Sequence, residues 1–234
     1  MTAVPPAPRA AVAFCPSPPV LVPAVAGTAD GGLPDLRGAC AAAVDALLTG
    51  APEVVVVVGP GVEDGVRFGP GDAGDLRSFG VDLEVPFSAG IRPGGRRLPW
   101  AHTLGAWLLD EAGHAGARLG VGPADLAAAL SDLPGTVGVL ALGDGSARRT
   151  ERAPAAFDEA AGPFDTAVAA ALAAGDAAAL AGLDPAEGER LLATGAPVWQ
   201  AVGAALAGRA ARATLHYDAA PFGVGYLVAD WQVQ

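Results

Sequence analysis

Apolar and polar positions along the chain change period in blocks, and the blocks predict strands exchanging with helices. Ala10–Phe14 is a short apolar run that leads into Cys15-Pro16-Ser17-Pro18-Pro19, a buried strand entering a rigid loop. Pro34-Asp35 opens an Ala-rich helix that runs to about Leu48 and is closed by Gly50. Glu53–Val58 contains five consecutive valines, too few for a helix and β-branched throughout. Such a run fits a central strand covered on both faces. Gly59–Asp75 reads as a glycine-rich acidic loop, and Val81–Val85 alternates like a half-exposed or edge strand. In Leu98–Glu111, Leu98, Leu104, Trp107, Leu108 and Leu109 recur near helical spacing behind Pro99.

The second half repeats the exchange. Arg118–Val121 predicts a short strand and Asp125–Leu130 a short helix ended by Asp132, Pro134 and Gly135. Thr136–Leu142 predicts another buried strand. Ala155–Ala174 reads as a long Ala-rich helix, Asp184-Pro185 starts another with Leu191 and Leu192 on its apolar face, and Pro197–Ala207 forms a third. Arg212–Tyr217 and Val224–Val228 read as two closing strands. Alternating strands and helices give an α/β sandwich, a single domain over 10–234 around a central, mostly buried mixed sheet flanked by helices. Residues 1–9 read as a flexible tail.

Composition narrows the function. The chain has 234 residues, ample for one large core. Hydrophobic residues make up 52% and charged residues 17%, which argues against disorder. All fourteen basic residues are Arg, and the formal net charge is −11. That field repels phosphates and anionic membrane surfaces, and no basic stripe is interleaved with aromatics, so no nucleic-acid or membrane partner is expected. No apolar run has the length of a membrane span. Pro5, Pro6 and Pro8 stand where a signal peptide needs an apolar helix, which points to a cytoplasmic location. Cys15 and Cys40 read as two reduced thiols.

In open α/β sheets, ligands sit where the chain leaves the carboxyl ends of strands. Three such loops are rich in Gly, Pro or small polar residues: Cys15–Pro19, Gly59–Gly65 and Gly143–Arg149. They nominate a cleft lined by Cys15, Ser17, Pro18, Gly61 and Glu63 on one side. Asp144, Gly145, Ser146, Ala147 and Arg148 line the other, with tight turns serving the fold as the alternative. Gly59-Pro60-Gly61-Val62-Glu63-Asp64-Gly65 departs from a dinucleotide loop, because its last glycine is one residue too far along. A phosphate-binding Walker loop is excluded, because it needs a Lys. Ser146 follows a buried strand with Asp144 close by, but the nucleophile-elbow pattern fails at Asp144 and Arg148. Asp144 and Ser146 stand as catalytic candidates, or else as caps of the turn. Arg148, Arg149 and Arg152 could fork onto a carboxylate or phosphate, or pair with acids such as Glu151 and Asp158. The spacing of His102 and His114 fits no common metal signature, and His216, beside Tyr217 and Asp218, is an acid/base candidate or a packed histidine.

At these loops the chain resembles the class III extradiol ring-cleavage dioxygenases and their MEMO-like relatives, within a subgroup of actinobacterial type. Phe14–Pro19 resembles the family's first-strand segment, and Val56-Val57-Val58-Gly59-Pro60-Gly61 its second. Leu142–Ala147 resembles the Ser-Asp-Leu-Ser-His segment, with Phe164-Asp165 in the helix that follows. Thr194-Gly195-Ala196-Pro197 resembles the family's C-terminal Cys-Gly turn, and His216-Tyr217-Asp218 through Gly225-Tyr226 its closing strands. The resemblance adds Thr194, His216, Tyr217 and Asp218 to the cleft and implies the fold described above.

The resemblance also implies an Fe(II) site, and here the chain departs from it. The family's histidines fall on Ser17, Gly61 and Ala147, none of which supplies imidazole. Ferrous ring cleavage needs two histidines and a carboxylate facing open positions. The expectation is a protein with no metal and no cofactor, which has lost ring cleavage and keeps the cleft for a small molecule or a protein. A site rebuilt from Glu63, Asp64 or Asp144 would favour Mg²⁺ or Ca²⁺. Two further readings stay open: a repurposed acid/base or hydrolytic enzyme using Ser17, Asp144, Ser146, Arg148 and Tyr217, and a structural component of a homo-oligomer or of a complex with a different partner chain.

Overall fold

The computed structural model describes residues 10–28, 33–88 and 90–234, and the tail expected over residues 1–9 lies outside them. The strands are β1 (Ala10–Cys15), β2 (Val54–Val58), β3 (Arg67–Phe68), β4 (Ala73–Asp75), β5 (Glu84–Pro86), β6 (Ala117–Val121), β7 (Val137–Leu142), β8 (Ala211–Ala219) and β9 (Tyr226–Val233). The helices are α1 (Pro23–Ala26), α2 (Leu33–Leu48), α3 (Trp100–Glu111), α4 (Leu126–Asp132), α5 (Ala161–Ala174), α6 (Ala177–Ala181), α7 (Pro185–Arg190) and α8 (Ala196–Ala205). Seven strands form one mixed sheet in the order β3-β6-β2-β7-β1-β9-β8. The central run β6-β2-β7-β1 is parallel, and β3, β9 and β8 add antiparallel pairs at the two ends.

The five valines explain the layering. Side chains alternate across a strand, so Val55 and Val57 enter one core while Val56 and Val58 enter the other, all four fully buried. The first core lies between the sheet and α2 and α3. The second lies under α4, α5, α6 and α8, where Phe14 meets Trp231 edge-on at a centroid distance of 5.0 Å. Trp231 also donates its indole N–H to the Leu172 carbonyl across 2.8 Å. Because the parallel strands β1, β2 and β7 end together, the loops after them share one edge of the sheet.

Several segments depart from the pattern-based expectations, each for a local reason. The stretch expected as a loop over Gly59–Asp75 contains β3 and β4. The alternating segment Val81–Val85 contributes only to β5, which pairs with β4 in a separate two-stranded sheet. The helix expected from Ala155 starts at Ala161. Before it, Asp158 uses its backbone N–H on the Arg148 carbonyl and its carboxylate on the Ala160 N–H, a turn that competes with helix. Leu191 is fully buried, but Leu192 is 44% exposed at φ 55°. There the chain leaves α7 through bonds from Leu192 N–H to Glu189 and from Ala193 N–H to Gly188, a Schellman turn with a non-glycine residue in the left-handed position. The last strand runs to Val233, beyond the expected Val228, and α6 was hidden in an Ala-rich stretch with little periodicity.

Trp231→Ala is expected to lower stability by about 3–5 kcal/mol, because it empties a large volume between β1, β9 and α5. Urea unfolding followed by circular dichroism would measure it. A loss under about 1 kcal/mol would contradict this packing.

Candidate functional site

Glycines let the loops at the carboxyl edge of the sheet approach one another closely. A Cβ on Gly143 would lie 2.4 Å from Gly195 Cα, so the turn after β7 fits against the turn before α8 only without side chains. The contact is fastened by Asp144 N–H to Thr194 Oγ1 at 3.0 Å and Gly195 N–H to the Asp144 carbonyl at 2.8 Å. On the other side, Gly143 N–H reaches the Cys15 carbonyl, and Ser17 N–H donates to Asp144 Oδ1 at 2.6 Å. The Trp100 indole donates to the Ser17 carbonyl at 2.6 Å. Gly61, at φ 79°, is near Pro99, the residue before Trp100. Hydrogen bonds thus tie Ser17, Asp144 and Thr194 together at this edge, with Gly61 nearby beside Pro99 and with Trp100, which pattern reading placed only in a helix, bonded to Ser17.

Asp144 is half-buried. Burial pushes its pKa up to about 6, against the stabilising Ser17 N–H. Only Oδ1 is engaged among the described residues; Oδ2 has no hydrogen-bond partner there. Tyr226 lies within its electrostatic reach, with Tyr217 beside Tyr226, and burial raises both phenols above their ordinary values.

The turn behind Asp144 is braced from below. Asp165, fully buried on α5, accepts Ser146 N–H at 2.9 Å and the Arg149 guanidinium at 2.8 Å. Desolvation nevertheless raises its pKa. Gly145 and Gly225 make room for it, since a Cβ on Gly225 would lie 1.9 Å from Asp165 Oδ2. Gly145 N–H to Gly225 O and Gly225 N–H to Ser146 O stitch β9 to the same turn.

The remaining predicted residues divide. Ser146 is fully buried, and its hydroxyl donates to the Leu191 carbonyl and accepts from Arg148 N–H, which fits a turn cap and not an exposed nucleophile. Ala147 bonds the Leu191 carbonyl through its N–H, and Arg148 turns to the Ala156 carbonyl. Arg149 pairs with Asp165 and Asp158 with Arg190, in place of the expected pairing of the Arg cluster with Glu151 and Asp158. Glu63 and Asp218 stand toward solvent with Asp64, while Pro18 begins the turn into Leu21. His216 is not drawn into this cluster: its Nε2 meets Asp230 Oδ2 at 2.8 Å within the β8–β9 pair. His102 is a core residue bonded to the Val121 carbonyl, with burial lowering its pKa to about 4. Cys15 and Cys40 are both buried free thiols, and hydrogen bonding to Cys40, with burial, raises Cys15 well above the usual thiol range.

An apolar hollow of about 400 Å³ adjoins this edge, lined by Pro60, Leu192, Ala193, Thr194, Ala196 and Pro197 among others. The sequence signal for it was weak, because many of its walls are Ala, Gly or Pro and its exposed Leu192 looked like a core residue.

No protein-family model matches the chain, and no curated protein matches it.

Two outcomes test this geometry. Gly225→Ala should displace Asp165 from Arg149 and cost roughly 3–5 kcal/mol in chemical unfolding, the scale of a broken buried ion pair; a neutral result would contradict the close approach. Asp144 has a folded pKa above its unfolded value, so the folded state holds the proton more tightly and stability falls as pH rises from about 4 to 6. Asp144→Asn, which cannot ionise, should therefore gain on the wild type by up to about 2 kcal/mol between about pH 4 and about pH 7. Urea melts at both values read this directly, and a gap that stays constant with pH would overturn it.

Proposed function

We propose that this chain is an extradiol-dioxygenase-like protein that does not cleave rings, and that its cleft at the carboxyl edge of the sheet binds a small molecule through Asp144. The observation that carries the proposal is the Asp144 carboxylate, tied by one oxygen to the Ser17 N–H and unengaged at the other among the described residues, at the meeting point of the loops after β1 and β7. A half-buried carboxylate with one open oxygen is a suitable anchor for a polar ligand group.

The residues present do not fit the Fe(II) that the resemblance implies. At the three family positions Ser17 faces Asp144 with its backbone N–H, Gly61 carries no side chain, and Ala147 offers a methyl group. Among the described residues no three His, Cys, Asp or Glu side chains gather closely enough to hold an ion.

A second reading rests on one observation. A carboxyl titrating near pH 6 changes protonation close to neutrality, which suits general acid/base work on a bound substrate.

A thermal-shift screen of small molecules, with elemental analysis of the same sample, tests the proposal. A ligand at a hundred times its Kd should stabilise the fold by about 2.7 kcal/mol, and Asp144→Ala should abolish the shift. Stoichiometric Fe(II) with turnover of a catechol would overturn the proposal.

A further inference from the structure

Tyr226 stands at this same edge of the sheet, and no sequence pattern singled it out for a role of its own. It opens β9, and β9 pairs antiparallel with β1, with Phe14 opposite Ala229 as the last pair toward this edge. The bonds between Gly145 and Gly225 and between Gly225 and Ser146 hold the residue before Tyr226 against the turn that carries Asp144. Tyr226 therefore follows directly on a residue bonded to the turn after Asp144, and it lies within electrostatic reach of Asp144, whose Oδ1 takes the 2.6 Å bond from Ser17 N–H.

Tyr226 is only 4% exposed, yet its hydroxyl has no hydrogen-bond partner among the described residues. The hydroxyl is also not one of the sealed polar atoms of the core. The ring is thus buried while the O–H stays open to solvent, an amphipathic placement from which a tyrosine can donate to a bound group. Phe222 packs against its ring at a centroid distance of 6.4 Å and helps fix its direction. Beside it, Asp144 Oδ2 is equally unengaged.

We propose that Tyr226 and Asp144 together recognise a neutral carboxamide-type group on the ligand, Tyr226 O–H donating to its carbonyl and Asp144 accepting its N–H. This rests on the cleft reading above and names the head group the cleft takes. The charges at the site favour this class. An anionic head group would face Asp144 without a cation to meet it, because Arg149 is committed to Asp165 and Arg148 reaches for the Ala156 carbonyl. A simple ammonium would satisfy Asp144 but leave the Tyr226 donor unused, whereas a carboxamide engages both. The phenol stays protonated at neutral pH, since burial and the adjacent Asp144 oppose its ionisation.

The test uses the full chain and three matched probes, benzamide, benzoate and benzylamine, with binding measured by ligand-observed NMR. The expected order is benzamide bound most tightly and benzoate least. Tyr226→Phe should weaken benzamide about two- to tenfold, the effect of one lost hydrogen bond, and Asp144→Asn about tenfold or more. Thermal melts of both variants confirm that the fold is kept, and two separate substitutions leave the test usable if one fails to fold. Benzamide that fails to bind, or that binds Tyr226→Phe as well as the wild type, overturns the inference. Tighter binding of benzylamine or benzoate that depends on Asp144 also overturns the head-group assignment, while leaving the cleft reading standing. Loss of the cleft reading itself would show instead as a broad screen without any Asp144-dependent ligand.

Discussion

The hydrogen bond from Ser17 N–H to Asp144 Oδ1 is the interaction on which the site depends. It joins the loop after β1 to the loop after β7 across a distance of 127 residues in sequence. It also explains why a carboxylate can stand half-buried at the sheet edge: one oxygen is satisfied by backbone, and the cost of desolvating the other appears as a raised pKa. Everything nearby is arranged to keep that turn in place. Gly143 fits against Gly195, Gly145 and Gly225 fit around Asp165, and Asp165 binds both the Ser146 N–H and the Arg149 guanidinium. The result is a braced backbone turn holding one carboxyl with a raised pKa.

Much of the fold was legible because it is written in periodicity. The valine run of β2, the apolar runs of β1 and β7, and the proline-led helices α2 and α3 each satisfy a local rule that tertiary packing then reinforces. What was not legible follows from interactions that are distant in sequence. The late start of α5 depends on Asp158 bonding back to Arg148, and the exposure of Leu192 on a left-handed turn that a bulky residue resists. The full length of β9 was concealed by Asp230, an acid in a buried strand that makes sense only once its bond to His216 is seen.

The site was half legible. The rule that ligands gather at the carboxyl ends of parallel strands drew attention to Ser17, Gly61 and Asp144, and the structure joins the loops of Ser17 and Asp144 by a hydrogen bond. It could not reveal that Ser146 points inward to the Leu191 carbonyl, because a serine beside an aspartate after a strand looks the same whether it is a nucleophile or a cap. Nor could it reveal that Trp100 bonds the Ser17 carbonyl, or that Tyr226, noted only within a closing-strand segment, lies within reach of Asp144. In the proposed reading Ser17, Gly61 and Ala147 supply no imidazole, and the polar chemistry of this edge falls to the carboxyl of Asp144.

The most direct measurement is the titration of the Asp144 carboxyl carbon by NMR in the folded protein. A midpoint near 6 is predicted, because the carboxyl is withdrawn from water and supported by one backbone N–H. A midpoint at the ordinary aspartate value, about 3.9, would mean a solvated surface carboxylate and would contradict the account of this edge as a built ligand anchor.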